Sequence, residues 1–475
     1  MTRILLTFAI VAGLALLMAG NVHAGMPSKG LKIDPMLQQA IEDSAGLYQE
    51  EEPKEMFGPP IPPPEPEPRF VLPELPEFPV YVEEEPEKDL FDLQWPNEPG
   101  LMFNGMRFLP ELLVKAGWND NIYATDTRGD TDLVTYIVPS LKIEIPDIRH
   151  EFLLEGSYEV QRYLENDDED QTNLRTKMEG ALVAEHGMSV PFMVSYNKVR
   201  ERREDDLTQQ MSLGPLSMNE LKLDLGIEFK PGKFGIAFWG KYQKDRFEDG
   251  ISRLGRAPIV RRDADRDITD LQFHTSFDID PENTLLLWGT YGQRDYDQLN
   301  YQSAGFNGPR RSSDTFGGML SWMFDYKGFI DGHITLGVSD YNYEDPTIMD
   351  VRELVGDMEF NHYLGEFTTI NLQLERSIME DDEVIDPIIL SRAGLYIDHQ
   401  AWSDVLIAVG ADYNFMEFNN SGRDDERWDF RVLTDYFFNN YLSFGGEYRY
   451  SLRNSEINGL DFNRNIFLLR ARGRL

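Results

Sequence analysis

The sequence predicts an all-β fold: a transmembrane, antiparallel, up-and-down β-barrel of about 18 strands, with about 16 as the alternative count. Three observations lead to this prediction. Apolar and polar residues alternate over runs of ten or so residues, as in strands with one apolar and one polar face. Short turns and long acidic loops alternate between these runs, and only the N-terminus carries a long apolar segment. This spacing is typical of barrels whose strands need roughly 9–11 residues to cross a bilayer.

The composition limits the classes of protein that fit. The chain has 475 residues, 41% of them hydrophobic, and a mean hydropathy of -0.44, which is also typical of soluble proteins. A β-barrel also gives such values, because its apolar lipid-facing residues alternate with polar residues and form no long apolar run. The formal charge of -38 argues against nucleic acid, whose phosphates would be repelled. Because the chain has no cysteine, it has no disulfide and no thiolate metal site.

The N-terminal region differs from the rest of the chain. Residues 1–24 are predicted to be a signal peptide, with Arg3, an apolar run and the cleavage site Val22-His23-Ala24. Residues 25–100 are rich in Pro and Glu, which predicts an acidic, mostly disordered periplasmic segment. It is interpreted as a stiff linker, with a docking segment for a periplasmic partner as the alternative. Residues 101–475 are predicted to form the barrel.

The first three strands show the alternating pattern most clearly. From Met106 to Trp118 every second residue is apolar or small, and Thr135 to Ile145 and Phe152 to Gln161 repeat the pattern. Similar runs continue to the last residue: Lys177–Ala184, Val190–Tyr196, Leu221–Phe229, Phe234–Tyr242, Leu271–Ile279, Leu285–Tyr291, Phe316–Phe324, Gly332–Val338, Leu354–Phe360, Thr368–Leu374, Ile389–Ile397, Val405–Tyr413, Trp428–Tyr436, Leu442–Tyr450 and Ile466–Leu475.

Tight turns follow the even-numbered strands, and long acidic loops follow the odd-numbered ones. The turns pair Gly, Pro and Asn as hairpins require. They are Pro146-Asp147, His186-Gly187, Pro231-Gly232, Pro281-Glu282, Lys327-Gly328, Leu364-Gly365, Gln400-Ala401 and Asn439-Asn440. Bacterial barrels place short turns in the periplasm, so both termini are expected there. The predicted location is the outer membrane of a Gram-negative bacterium.

Aromatic residues near the predicted strand ends are expected to lie at the two membrane interfaces. The alternative is packing within a β-rich core. These residues are Trp118, Tyr123, Trp322, Tyr326, Trp402, Trp428, Phe437, Phe438 and Tyr441.

No segment meets the requirements of a catalytic or metal site. Asp263 to Asp267 begins like a calcium-binding loop, but Ile268 stands where Gly is needed and His274 where Glu is needed. No Ser occupies a nucleophile elbow and no HExxH motif occurs. We therefore expect no catalytic residue, no metal and no cofactor. An outer-membrane enzyme or a structural barrel is less favoured than a channel.

The polar face of each strand, taken as inward, predicts the lining of a pore. The last strands and the first carry mostly basic residues: Arg427, Arg431, Arg449, Arg470, Arg472, Arg474, Arg107 and Lys115. The opposite wall carries mostly acidic residues, among them Glu220, Asp224, Asp270, Glu353 and Asp357. The hypothesis is a basic seam that faces an acidic wall across the lumen. The alternative is that carboxylates on adjacent strands neutralise the arginines, which then only shape the wall.

Three short motifs carry a family resemblance. The segment from Gly117 to Tyr123, GWNDNIY, then Pro139-Ser140-Leu141, then Arg149-His150 resembles the start of the β-barrel porin type 2 family. The resemblance is clear from Glu111 to Glu204. Many members are encoded with exopolysaccharide biosynthesis proteins, so it implies an outer-membrane channel that exports an exopolysaccharide. A general or solute-specific diffusion porin is the alternative.

The same reading implies a set of partners. We expect outer-membrane lipid and lipopolysaccharide, the barrel-assembly machinery, a periplasmic polysaccharide-export component, and the transported polysaccharide or small solute. Nucleic acid is not expected.

Overall fold

The computed structural model describes residues 100–126, 129–146, 150–184, 187–201, 203, 212–253, 257–297, 301–302, 306–307, 310–380, 387–419, 422–457 and 459–475. The signal peptide and all but the last residue of the Pro/Glu segment lie outside the described residues, so both remain predictions. Within the described ranges, no α-helix is long and apolar enough to cross a membrane.

Eighteen long strands form a closed antiparallel barrel, which confirms the predicted fold class and strand count. Each strand pairs with the next, and the last pairs with the first. They are β1 (Met106–Asn119), β2 (Asp132–Pro146), β3 (His150–Tyr163), β4 (Gln171–Val183), β5 (Met188–Arg200), β6 (Ser217–Phe229), β7 (Phe234–Phe247), β8 (Arg266–Asp280), β9 (Asn283–Tyr296), β10 (Ser313–Tyr326), β11 (Ile330–Tyr343), β12 (Val351–Tyr363), β13 (Thr368–Met379), β14 (Ile388–Trp402), β15 (Val405–Phe418), β16 (Arg423–Asn439), β17 (Leu442–Ser455) and β18 (Phe462–Arg474).

Short elements accompany the barrel. The strand Leu101–Phe103 pairs with the beginning of β1. Two small ribbons lie in the long loops: Gly250–Ile251 with Pro258–Ile259, and Tyr301–Gln302 with Phe306–Asn307. The loop after β3 contains the 3-10 helix Asp167–Glu169.

Side-chain exposure distinguishes the two faces of the wall. In β9, Leu287 is 60% exposed, whereas its neighbours Leu286 and Trp288 are each 2% exposed. Successive side chains of a strand point to opposite faces, so the exposed set forms the outer surface of the closed wall. Burial of this apolar surface in lipid, together with backbone groups that are paired around the ring, stabilises a membrane barrel.

The strands are longer than the apolar runs that predicted them. They contain 12 to 17 residues, and most extend farther toward the long loops than expected. In β8 the outward side chains of Leu271, Phe273, Phe277 and Ile279 are exposed and apolar, whereas Asp267, nearer the long loop, is on the same face. Apolar alternation therefore marks only the part of each strand that would face lipid, while pairing continues beyond it.

Two of the predicted turns are wrong. The strand β14 continues through Gln400 and Ala401 to Trp402, with a register shift between Gln400 and Trp402. Its turn is Ser403-Asp404, three residues later than expected. A β-bulge adds one residue to one strand, so strand pairing can continue past the position where the sequence predicts a turn. Asn439 likewise belongs to β16, after a register shift that begins at Phe437.

The other predicted turns fall between strands where the structure describes them. Pro231-Gly232, Pro281-Glu282, Lys327-Gly328 and Leu364-Gly365 each connect two paired strands. Gly328 and Gly365 have φ angles of 73° and 71°, a backbone conformation that favours glycine. Pro146-Asp147 and His186-Gly187 lie partly outside the described residues.

Most of the predicted girdle aromatics are on the exposed surface. Trp118, Trp322, Tyr326, Trp402, Trp428, Phe438 and Tyr441 are exposed. Two differ from the prediction. Tyr123 lies in the loop after β1, where the Arg253 guanidinium sits 3.9 Å from the ring centroid. Phe437 packs against the buried group of Tyr396, Ala408 and Leu433. The alternation of apolar and polar residues does not show whether an aromatic side chain near a strand end is exposed or packed, because loops and bulges change its surroundings.

The pairing of β1 with β18 closes the ring and includes a very close backbone approach. A Cβ added to Gly117 would lie 1.7 Å from the carbonyl oxygen of Phe467. Only glycine allows this approach without a shift of the backbone.

We predict that Gly117→Ala destabilises the barrel by about 1–3 kcal/mol, because the added methyl group must push the two closing strands apart. The measurement is the urea midpoint of unfolding of the purified protein in lipid vesicles. Gly318→Ala in β10 is the matched control, since a Cβ there meets no atom within 4 Å. Equal midpoints for the two variants would contradict this account of the closure.

Candidate functional site

The candidate site is the inner wall of the barrel, which carries most of the polar side chains of the strands and also a buried apolar group that includes Trp288, Met319 and Tyr341. In β18, Leu469 is 75% exposed on the outer face, whereas Arg470 and Arg472 are buried on the other. The same alternation places charged, amide and hydroxyl side chains on the inner face of the neighbouring strands.

Nine inward side chains on β16, β17, β18 and β1 form a group that we call the seam cluster. Its members are Arg431, Asp435, Glu447, Arg449, Arg470, Arg472, Arg474, Glu111 and Lys115. The cluster crosses the closure of the barrel, so it joins residues from the two ends of the described chain.

Glu447 lies at the centre of the seam cluster. Its carboxylate accepts a hydrogen bond from Arg449 Nε and lies 2.9 Å from Arg431 Nε. Lys115 Nζ is 3.7 Å away and Arg470 Nη1 is 3.8 Å away. The side chain of Glu447 is completely buried. One carboxylate therefore offsets the mutual repulsion of cations from four different strands.

Glu111 is the second carboxylate that joins the closing strands. It lies 2.9 Å from Arg474 Nε and 3.4 Å from Arg472 Nε. Asp435 lies 3.7 Å from Arg470 Nε. Cations outnumber carboxylates in the seam cluster, so its own charges sum to a positive value.

The other predicted basic residues lie outside this group. Arg107 is 3.1 Å from Glu144, and Arg427 Nε is 2.8 Å from Asp429. The structure thus brings together Lys115, Arg431, Arg449 and Arg470 around Glu447, with Arg472 and Arg474 at Glu111. Carboxylates lie among the arginines, as required by the alternative hypothesis that carboxylates on adjacent strands neutralise them. Whether these residues line a conducting pore remains a prediction.

The predicted acidic residues do not converge on one point. Glu220 accepts a hydrogen bond from Asn197 at 2.7 Å and lies 2.8 Å from Lys222 Nζ. Asp224 and Asp270 both stand opposite Lys241 in the strand register.

The remaining two predicted acids lie farther around the wall. Glu353 is 3.4 Å from Arg376, and Asp357 pairs with His333. Each carboxylate therefore has its own local environment. Among the described residues, no group of His, Asp or Glu side chains is arranged to hold a metal ion.

Two buried networks of polar side chains near the long loops were not predicted from the sequence. Arg266 Nε donates to Asp245 at 2.8 Å, and both side chains are almost fully buried. Glu380, which follows β13, accepts hydrogen bonds from Tyr296 at 2.9 Å and Tyr343 at 3.1 Å. These tyrosines lie on β9 and β11, so the Glu380 side chain connects the ends of three strands. The inward position of Arg266 was readable from the alternation, but its partner was not.

A further network ties the loops together. Arg203 in the loop after β5 pairs with Glu169 of the 3-10 helix and donates to the Ser212 carbonyl at 3.0 Å. Burial raises the pKa of the Glu169 carboxyl, although the adjacent Arg203 guanidinium acts in the opposite direction. The loops after β3 and β5 are therefore joined by a buried ion pair.

The comparison with family models decides what kind of barrel this is. Residues 106–475 match the family described as "Putative beta-barrel porin 2". The chain belongs to this family. Membership makes it a porin-like β-barrel of the outer membrane, in agreement with the resemblance found in the sequence. Comparison with curated proteins gave no match.

Solved structures similar to this porin-family chain share little sequence with it. OpdK from Pseudomonas aeruginosa has a TM-score of 0.41 and 9% identity, and the match covers 78% of this chain and 99% of that one. OccK2 (OpdF) from the same organism, in complex with glucuronate, has a TM-score of 0.41 and 9% identity, with coverage of 79% and 100%. The siderophore receptor PirA from Pseudomonas aeruginosa has a TM-score of 0.39 and 8% identity, with coverage of 78% and 80%.

We predict that Glu447→Gln destabilises this porin-family barrel by about 3–5 kcal/mol, because it leaves buried cations without their shared counter-charge. The control is Glu144→Gln, which removes the partner of Arg107 at a position where both side chains are partly exposed. Its expected cost is about 0–1 kcal/mol. Urea unfolding in lipid vesicles measures both. A cost for Glu447→Gln no greater than that of the control would show that Glu447 does not hold the cluster together.

Proposed function

We propose that this barrel is the outer-membrane channel through which an exopolysaccharide reaches the cell surface. The observation that carries the proposal is a closed barrel of 18 strands with charged and polar side chains on its inner wall. Barrels of about 16–18 strands leave an aqueous lumen, and polar groups are tolerated facing water rather than in an apolar core.

The chemistry of the wall supports a hydroxyl-rich cargo. Amide and carboxylate side chains meet at several heights: Asn173 with Glu159, Asn197 with Glu220, and Asn371 with Glu359. Such groups can exchange hydrogen bonds with sugar hydroxyls and with water at similar cost. The family resemblance adds the biological context, since many members are encoded with exopolysaccharide biosynthesis proteins.

The second candidate is a diffusion porin for small charged solutes. The seam cluster favours it, because its cations outnumber its carboxylates while Asp270 and Glu353 lie on distant strands. Separated charges of this kind select ions in water-filled barrels.

Deletion of the gene separates the two candidates. The export proposal predicts that surface polysaccharide is lost, while the uptake of small sugars and small antibiotics is unchanged. Staining of the surface polymer and uptake of a labelled small sugar are the two measurements, with complementation by the intact gene as the control. Normal surface polymer together with reduced solute uptake would instead support the diffusion porin.

We further propose that the short turns face the periplasm, together with both termini. Barrels of the outer membrane place short turns inside and long loops outside, and the loops follow the odd-numbered strands here.

Single cysteines test this orientation in a chain that has none of its own. We predict that Arg262→Cys, in the loop after β7, reacts with an impermeant maleimide on intact cells. Gly232→Cys, in the turn after β6 where no atom lies within 4 Å of the added Cβ, should react only after permeabilisation. Reaction of Gly232→Cys on intact cells would reverse the orientation.

A further inference from the structure

We propose that Trp239 is a stacking platform for a hexopyranose unit on the inner wall of the barrel. The proposal rests on the proposed passage of a polysaccharide and names one contact that the polymer makes. Trp239 lies on β7 in the same alternating set as the fully buried Asp245, so its side chain is on the inner face.

The indole lies flat against the wall because the opposite residue is glycine. Trp239 pairs with Gly226 of β6. A Cβ added to Gly226 would lie 2.7, 2.8 and 2.9 Å from Cε2, Cδ2 and Cζ2 of the indole. Nearly equal distances to three ring atoms mean that the ring turns its face toward Gly226. The opposite face of the indole is therefore directed away from the wall, into the lumen.

Polar atoms without partners accompany this ring. Trp239 Nε1 has no hydrogen-bond partner among the described residues. His274 on the adjacent β8 is 3% exposed, and neither of its ring nitrogens has a partner in the same set. These nitrogens are covered by neighbouring groups, and the His274 ring packs edge-on against Trp288 with 5.1 Å between the ring centroids. A sugar on the lumen face of the indole would therefore take its polar contacts from other side chains of the wall.

The surrounding groups suit a sugar better than an apolar ligand. Gln272 is opposite Trp239 in the register of β8, and Lys241 is two residues farther along β7. Asp224 and Asp270 stand on either side of Lys241. A pyranose has one face of C–H groups that packs on an aromatic ring and a rim of hydroxyls that need donors and acceptors. This wall offers both kinds of contact.

The test is the block of ion current through the purified full-length protein in planar bilayers by the neutral sugar maltohexaose. Trp239→Ala should raise the half-blocking concentration about five- to tenfold, as expected for the loss of one contact on an aromatic face. Trp239→Phe keeps a flat ring and should raise it less. Trp402→Ala, which removes an indole that is 66% exposed on the outer surface, should leave it unchanged.

A polyethylene glycol of similar size separates stacking from a change in pore shape. The proposal requires that its block be the same in the wild-type protein and in Trp239→Ala. If Trp239→Ala leaves the maltohexaose block unchanged, or alters both blocks equally, the platform is refuted and Trp239 only fills the wall over Gly226. These outcomes do not affect the gene-deletion test of export. If Trp239→Ala weakens the maltohexaose block but deletion of the gene leaves the surface polymer intact, the export proposal is refuted and the stacking platform is retained.

Discussion

The barrel depends on the pairing of β1 with β18, because an unpaired strand edge cannot exist in lipid without a cost of several kcal/mol for each exposed backbone group. This ladder runs from Glu111 opposite Arg474 to Asn119 opposite Ile466. At Gly117 the two backbones approach so closely that no side chain fits between them. On the inner face, Glu111 and Glu447 add ionic contacts across the same closure. The backbone ladder and the seam cluster thus stabilise one junction.

The closure also determines the chemistry of the lumen. Once β18 stands beside β1, Lys115 and Arg470 from opposite ends of the sequence approach the same carboxylate of Glu447. Buried charges of like sign are tolerated only where a partner and further hydrogen bonds compensate them. Ionic contacts therefore connect the basic side of the wall, whereas Trp239 on β7 packs over Gly226.

Alternation was sufficient to place all 18 strands and to assign Trp118 outward and Arg470 inward, because side-chain direction in a strand has a strict period of two. Two kinds of feature could not be obtained in this way. Bulges, as at Ala401, break the period without a sequence marker, so the turn after β14 was misplaced. Contacts between strands depend on register, which a single sequence does not give, so Arg266 with Asp245 and Trp239 over Gly226 appeared only in three dimensions.

The proposed function requires that a saccharide polymer pass through this barrel. The most direct measurement uses liposomes that contain the purified protein, loaded with fluorescent polysaccharide isolated from the surface of the same bacterium and with a small labelled sugar. We predict that the polysaccharide escapes from these liposomes and stays inside liposomes that lack the protein. Escape of the small sugar while the polysaccharide is retained would contradict the claim.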